Sequence, residues 1–182
     1  MEPGPVAGEG AGPVTDAAPG LDPAHLKATF GSFASGMTVV TARLAGHLHG
    51  MTATAFCAVS LDPPLVLVCV DKSAHMHDFI ARSGAFAVNI LSSDQEHLAR
   101  HFAHRGRPLA GEFALVPYTV GRMGCPLLTR AAAYVECTLH HAYDGGDHTI
   151  YVGAVQATNA CPHRRPLLHW RRQYLPPLAA RW

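Results

Sequence analysis

Histidine is the residue type in this chain with the widest chemical range, and the 182 residues include 13 of them. His97, His101 and His104 are spaced at i, i+4 and i+7, so on a helix they would share one face. A zinc site needs three or four converging ligands, commonly cysteine or carboxylate as well as imidazole. The chain has no HExxH motif and no CxxC pair. Solvated histidines on a helix face are therefore the favoured interpretation, and no metal is expected.

His148 lies in a different setting, within Asp-Gly-Gly-Asp-His-Thr at 144–149. A tight hairpin turn needs only a Gly-Gly or Asp-Gly pair, so Asp147, His148 and Thr149 exceed what the turn requires. A histidine beside such a turn, at the mouth of a barrel, is well placed to contact a bound ligand. An exposed histidine next to an ordinary turn fits the spacing equally well.

Two β-like runs, 51–59 and 65–70, flank Ser-Leu-Asp-Pro-Pro at 60–64. The two prolines remove ladder donors and fix φ, so this connection is expected to be a turn. Small residues crowd the start of the first run, where they would let a flat ligand approach the backbone. These residues are Thr52, Ala53, Thr54 and Ala55. By themselves they indicate a binding site only weakly.

Composition indicates one globular domain, because 48% of the residues are hydrophobic and 15% are charged. The formal net charge of +1 gives no electrostatic argument for binding nucleic acid or a membrane surface. The apolar runs are strand-sized, and no signal peptide is apparent. Five cysteines without a CxxC pair favour reduced thiols in a cytoplasmic protein. The usual dinucleotide, phosphate and hydrolase motifs (GxGxxG, GxxxxGK[ST] and GxSxG) are absent.

The order of elements predicts an antiparallel barrel with helices at its ends. Residues 1–21, rich in Gly, Ala and Pro, are expected to form a disordered tail before a domain at 22–178. Asp22 and Pro23 predict a first helix, with Leu26, Phe30 and Phe33 at helical spacing. Two more helices are predicted at 72–82 and 95–104, the latter capped by Ser93-Asp94. The remaining predicted strands are 37–44, 85–91, 132–143 and 148–158, with a long irregular connection at 105–128 and a closing segment at 166–174.

Several motifs occur in an order that carries a family resemblance. They are FASGMTVVT at 33–41, GMTA at 50–53, SLDPPLV at 60–66, GAFAVNIL at 84–91, GGDHT at 145–149, and PLL at 166–168 leading to Tyr174. Together they make residues 21–174 similar to the short-chain flavin reductases, the reductase components of two-component flavin-dependent monooxygenases. The resemblance implies a mainly β fold, an antiparallel Greek-key split β-barrel with a few short α-helices.

The same resemblance implies an activity and its cofactors. These enzymes pass a hydride from NADH or NADPH to FMN or FAD, and reduced flavin then diffuses to a partner monooxygenase. They are usually homodimers with flavin near the subunit interface. The implied flavin-ring contacts are Thr52, Ala53, Thr54, Ala55, Cys69, Val70 and Asp71, and the implied ribityl and phosphate contacts are His75, Met76, His101 and Phe102. Ser60 is a further implied cofactor contact. His148 matches the catalytic histidine near the nicotinamide, with His169, Trp170 and Arg171 in the same region.

The chain departs from the family pattern mainly around the expected flavin phosphate. His75-Met76 stands where Arg-Thr is common, and loss of a charge-assisted phosphate contact weakens binding by about 1–3 kcal/mol. Thr54-Ala55 replaces a frequent Asn-Ser or Gln-Ser pair, His101 replaces an arginine, and Arg172 replaces a glycine. Two alternative functions remain open. One is a flavin-fold protein without reductase turnover that serves as a ligand-binding or partner subunit; the other is a repurposed pocket that uses His75, His101 and His148 as acid–base groups.

Overall fold

The computed structural model of the chain describes residues 20–104, 106 and 108–175. The expected disordered tail lies outside the described residues, apart from its last two positions, and so does the end of the expected domain at 176–178. The helices are α1 (Pro23–Phe30), α2 (His75–Ser83) and α3 (Glu96–Ala103). The strands are β1 (Ser35–Gly36), β2 (Thr38–Leu44), β3 (His47–Ala53), β4 (Phe56–Leu61), β5 (Pro64–Asp71), β6 (Ala85–Ile90), β7 (Tyr118–Val120), β8 (Pro126–Leu128), β9 (Ala133–Gly145), β10 (His148–Ala160), β11 (Leu168–Trp170) and β12 (Gln173–Leu175).

Seven strands form the main sheet, in the order β3-β2-β6-β9-β10-β5-β4. Every neighbouring pair in it is antiparallel, which confirms the predicted mainly β antiparallel fold. The 13-residue strands β9 and β10 form the predicted long hairpin around Gly146. Smaller sheets join β1 to β11 and β12, and β7 to β8.

The predicted single strand at 51–59 is wrong, because the chain changes partners within it. β3 pairs with β2 and ends at Ala53, whereas β4 pairs with β5 and begins at Phe56. Thr54 and Ala55 therefore connect the two opposite edges of the main sheet. The Ala55 carbonyl accepts a hydrogen bond from the Cys69 N–H at 3.1 Å, which holds this bend against β5. The following turn is also shorter than predicted, since β4 continues to Leu61 and β5 begins at Pro64.

The three helices begin and end largely for the predicted reasons. The Asp22 carboxylate accepts from the Ala24 and His25 N–H groups at 3.1 and 3.2 Å, which caps α1. Gly84 ends α2 in the left-handed conformation at φ 68°, where glycine carries no Cβ strain. The predicted Ser93-Asp94 cap of α3 is wrong: Gln95 precedes the helix, and the Asp94 carboxylate pairs with Arg130 at 2.6 Å instead.

Alternate residues of β2 face two separate cores, as the period of a strand requires. Val40 packs with Val68, Phe86 and the buried side of α2, whereas Val39 packs with Leu98 of α3 in the second core. The apolar side chains of α1 contribute to neither core. Phe30 and Phe33, predicted from their helical spacing, are 70% and 81% exposed.

The predicted irregular connection at 105–128 contains the β7–β8 hairpin. Asn89, fully buried on β6, attaches this hairpin to the sheet. Its Nδ2 donates to the Val39 carbonyl at 3.1 Å, and its Oδ1 accepts from the Leu128 N–H at 2.8 Å. Strands of three residues, one of them starting at Pro126, have too little pattern to be recognised in the sequence.

Within the described residues, α1, α2 and α3 are too short, and not apolar enough, for any of them to cross a membrane.

Candidate functional site

A cleft of about 400 Å³ lies where β3, the end of β5 and the start of α2 meet the end of α3. We call it the central cleft. It is lined by, among others, His49, Gly50, Thr52, Asp71, His75 and Phe102. Four of these residues, at positions 52, 71, 75 and 102, are sequence-predicted flavin contacts. The fold therefore brings together residues that are up to 50 positions apart in the chain.

The floor of the central cleft is the contact between β3 and α3. The Thr52 hydroxyl donates to the Ala99 carbonyl at 2.7 Å, so this predicted ligand contact also joins strand to helix. Gly50 approaches the Phe102 ring so closely that an added Cβ would lie 2.5 Å from Cε1. Only glycine permits this spacing between the strand backbone and the ring.

The rim of the central cleft is formed by the connection from β5 to α2. The Asp71 carboxylate accepts from the Ser73 N–H at 2.8 Å and from the Ser73 hydroxyl at 2.7 Å, which shapes this turn. Ala74 precedes α2 and provides no side-chain cap. Ala74 and His75 both line the cleft. The first N–H groups of a helix and its dipole favour an anionic group at such a position.

His148 lies directly across the ladder from Asp71, because β10 pairs with β5 in that register. Its Nδ1 lies 2.6 Å from an oxygen of the Asp147 carboxylate, and its side chain is 41% exposed. Lys72 forms a hydrogen-bonded ion pair with Asp144 beside it. The hairpin turn is thus attached to the rim of the central cleft, with a partly exposed, oriented histidine beside that rim.

A second cleft, of about 460 Å³, lies along the bend between β3 and β4. We call it the side cleft. Its lining includes Thr54, Ala55, Cys69 and His169, four further predicted cofactor contacts, together with Phe30 and Phe33. Burial raises the pKa of the Cys69 thiol, which disfavours its thiolate form.

Five other predicted contacts line neither cleft. Ala53, Val70 and Met76 are buried in the main core, and the Met76 side chain has no exposed surface. Ser60 is half-buried on β4, at a register shift opposite Leu65. The half-buried His101 donates from Nε2 to the Glu112 carbonyl at 2.8 Å.

The remaining predicted contacts, Trp170 and Arg171, are linked to each other at the turn after β11. Trp170 donates from Nε1 to the Ser32 carbonyl at 3.1 Å, and the Arg171 guanidinium lies 4.6 Å from the Trp170 ring centre. Arg172 has φ 65°, in the left-handed region that favours glycine. A glycine would adopt this backbone conformation without Cβ strain.

Sequence reasoning missed two residues of the central cleft's surroundings, His49 and Glu112. The His49 ring lies 6.1 Å from that of His75, measured between centres, and its Nδ1 lies 3.0 Å from an oxygen of Glu112. The two residues are 63 positions apart and belong to no recognised motif. Nothing in the local pattern could have identified the pair. Among the residues described, no group of three or more His, Cys, Asp or Glu side chains is placed to hold a metal ion.

The comparison with known families identifies the family to which the chain belongs. A model of the flavin reductase like domain matches residues 30–177 of the chain. The chain belongs to this family. The match confirms the resemblance carried by the ordered motifs, and it includes both clefts and the 144–149 hairpin.

Individual members of the flavin reductase family cover most of the chain. An NADH-dependent FAD reductase of Streptomyces globisporus is 44% identical over 149 residues, which are 81% of each chain. The reductase component of a 4-hydroxyphenylacetate 3-monooxygenase of Thermus thermophilus is 40% identical over 148 residues, 81% of this chain and 92% of the relative.

Solved structures of the flavin reductase family show the same fold. The NADH:FAD oxidoreductase of Streptomyces globisporus C-1027, in complex with NAD and FAD fragments, superposes with a TM-score of 0.81 at 40% identity. The superposition covers 87% of this chain and 96% of that one. The expected split-barrel fold is thereby confirmed.

Proposed function

We propose that the protein is a flavin reductase that uses a reduced nicotinamide, NADH or NADPH, to reduce FMN or FAD. The reduced flavin is supplied to a partner flavin-dependent monooxygenase. The observation that carries this proposal is the family match over residues 30–177, which includes the motifs that build both clefts. We assign the activity to the domain at 22–178.

The proposed contacts with the flavin ring lie in the side cleft, and those with the flavin's ribityl phosphate chain lie in the central cleft. Thr54, Ala55 and Cys69 in the side cleft are small or apolar, and suit the flat isoalloxazine ring. Asp71 and His75 in the central cleft, beside the first N–H groups of α2, suit the hydroxyls and phosphate of the flavin's polar chain. Because the Met76 side chain is fully buried, its contribution to the site is to pack α2 against the sheet.

The protein's part in the reaction is to bind and align two planar rings. When bound, the flavin supplies the hydride acceptor, and the reduced nicotinamide supplies the hydride. His148 is proposed to contact the nicotinamide, with its ring held by the Asp147 carboxylate. His169, Trp170 and Arg171 are proposed to form the other side of the nicotinamide site. Alignment of the two rings converts a bimolecular encounter into a reaction between positioned groups.

The direct test of the proposed function is oxidation of NADH or NADPH, followed at 340 nm, with the purified protein and either FMN or FAD. Flavin-dependent oxidation is expected with at least one nicotinamide. Absence of turnover with every pairing would exclude a reductase. Flavin binding without turnover would then favour the alternative of a ligand-binding or partner subunit.

Replacing His148 with alanine is expected to lower kcat about fivefold while changing the flavin Kd less than twofold. The histidine is proposed to orient the nicotinamide, and loss of one orienting contact costs about 1 kcal/mol. Steady-state oxidation at 340 nm and flavin fluorescence titration measure the two quantities. His140→Ala is the control, since His140 is an exposed histidine on β9 that lines neither cleft. An unchanged kcat in the His148 variant would remove the residue from the mechanism.

A homodimer in the cytoplasm completes the proposal. Phe30, Phe33 and Leu61 are exposed by 70%, 81% and 94%, and Phe30 and Phe33 border the side cleft. Large apolar side chains grouped beside a binding site are typical of protein interfaces. Within the described structure all five cysteines are free thiols, which fits a reducing compartment.

A further inference from the structure

Glu112 is a carboxylate buried behind the wall of the central cleft, with a side chain only 1% exposed. Its Oε1 accepts from the Gly50 N–H at 2.8 Å and lies 3.0 Å from Nδ1 of His49. A carboxylate oxygen only accepts, so Nδ1 of His49 carries a proton. Charge-assisted hydrogen bonds of this kind are stronger than those between neutral groups.

Glu112 also holds the other wall of the cleft through its backbone. Its carbonyl accepts from Nε2 of His101, the residue before Phe102. The next residue, Phe113, packs its ring 5.2 Å from that of Phe102, measured between centres. One short segment therefore connects β3, which provides His49 and Gly50, with the end of α3.

Glu112 is linked to the cleft through these neighbours. His49 and Gly50 line the central cleft, whereas Glu112 is not among its lining residues. The Nδ1 edge of the His49 ring is turned to Glu112, and the ring centre lies 6.1 Å from that of His75 and 5.1 Å from that of Phe79. The hydrogen bond to Glu112 therefore fixes which edge of the ring is left for a ligand.

We propose that Glu112 is a positioning residue for flavin binding, which orients His49 to contact the polar chain attached to the flavin ring. The inference rests on the proposed function, and it deepens that function by assigning recognition of the chain to His49. The protein then binds a flavin with a ribityl phosphate chain more tightly than one without it, because His49 contacts the chain. This difference in affinity depends on Glu112.

The test compares FMN with lumiflavin, which has the same ring but only a methyl group in place of the chain. Glu112→Leu removes the acceptor of His49 and Gly50, and is expected to raise the Kd for FMN about tenfold. The Kd for lumiflavin is expected to change less than twofold. Glu112→Gln retains an oxygen that accepts both hydrogen bonds, so it is expected to stay within threefold of the unmodified protein. Equilibrium dialysis or fluorescence titration gives each Kd.

Glu136 provides a matched control, because it is another fully buried carboxylate that accepts two hydrogen bonds. Its oxygens accept from the Arg122 and Met123 N–H groups, both at 2.7 Å, in the turn between β7 and β8 and outside the central cleft. Glu136→Gln places an amide donor against one of these N–H groups. It is expected to lower Tm by about 3–8 °C while leaving the FMN Kd within twofold.

The outcomes separate this inference from the proposed function. A protein that binds no flavin contradicts the proposed function itself. Normal FMN binding by Glu112→Leu, or equal losses for FMN and lumiflavin, contradicts only the role of Glu112. If the leucine variant fails to fold, His49→Phe keeps a ring against Phe79 and removes the Nδ1 donor. The His49→Phe variant is expected to raise the Kd for FMN about tenfold and the Kd for lumiflavin less than twofold. Unchanged FMN binding would overturn the proposal.

Discussion

Replacing Gly50 with alanine is expected to weaken flavin binding about 30-fold, or about 2 kcal/mol, and to lower Tm by about 4–8 °C. The new Cβ would lie 2.5 and 2.6 Å from two carbons of the Phe102 ring. That ring is 2% exposed and packs against Phe113, so it can move away from the strand only by shifting within the central cleft or against Phe113. Either the ring shifts into the central cleft or the strand and α3 separate, and both changes alter the cleft. Fluorescence titration and thermal denaturation measure the two effects.

Gly36→Ala is the matched control for Gly50→Ala. Gly36 also lies in a strand, but no atom lies within 4 Å of the position of an added Cβ. Its flavin Kd and Tm are expected to remain close to those of the unmodified protein. If Gly50→Ala binds flavin as tightly as Gly36→Ala, the close approach of β3 to Phe102 does not define the flavin site.

Replacing Asn89 with alanine is expected to lower the free energy of unfolding by about 3 kcal/mol, and Tm by about 6–12 °C. The change leaves the buried Leu128 N–H without its acceptor and removes the donor to the Val39 carbonyl and the Thr41 hydroxyl. An unpaired buried N–H bears the full cost of its lost hydration. Denaturant unfolding and calorimetry give the size of the loss.

Asn159→Ala is the control for Asn89→Ala, because Asn159 is an exposed asparagine on β10. It is expected to change the free energy of unfolding by less than about 0.5 kcal/mol. At temperatures where the Asn89→Ala variant remains folded, the flavin Kd of that variant is expected to stay within threefold of the value for the unmodified protein. A loss of stability no larger than that of Asn159→Ala would mean that Asn89 does not attach the β7–β8 hairpin.

The elements with strong local signals could be predicted from the sequence. Asp22 begins α1 and Gly84 ends α2, as expected. Each cap depends on a single residue, through the side chain of Asp22 and the backbone freedom of Gly84. The long β9–β10 hairpin was also predictable, because alternating strands flank a glycine-rich turn. The family could also be predicted from the sequence, because several of its motifs occur in the same order along most of the chain.

Features that depend on distant partners could not be predicted. The bend at Thr54 and Ala55 arises because β3 and β4 pair with different strands, while the local residues are compatible with one continuous strand. Glu112 and His49 meet only after β3 and the segment following α3 have folded together.

The order of the main sheet also sets when its strands can be completed on the ribosome. β5, which ends at Asp71, pairs on one side with β4 and on the other with β10, whose paired residues lie about 80 positions later in the chain. During synthesis, one edge of β5 therefore remains without its partner until most of the domain has emerged. Unpaired strand edges attract other chains, and long-range pairing slows folding. The strand that forms part of both clefts is thus among the last to be protected from aggregation in the nascent protein.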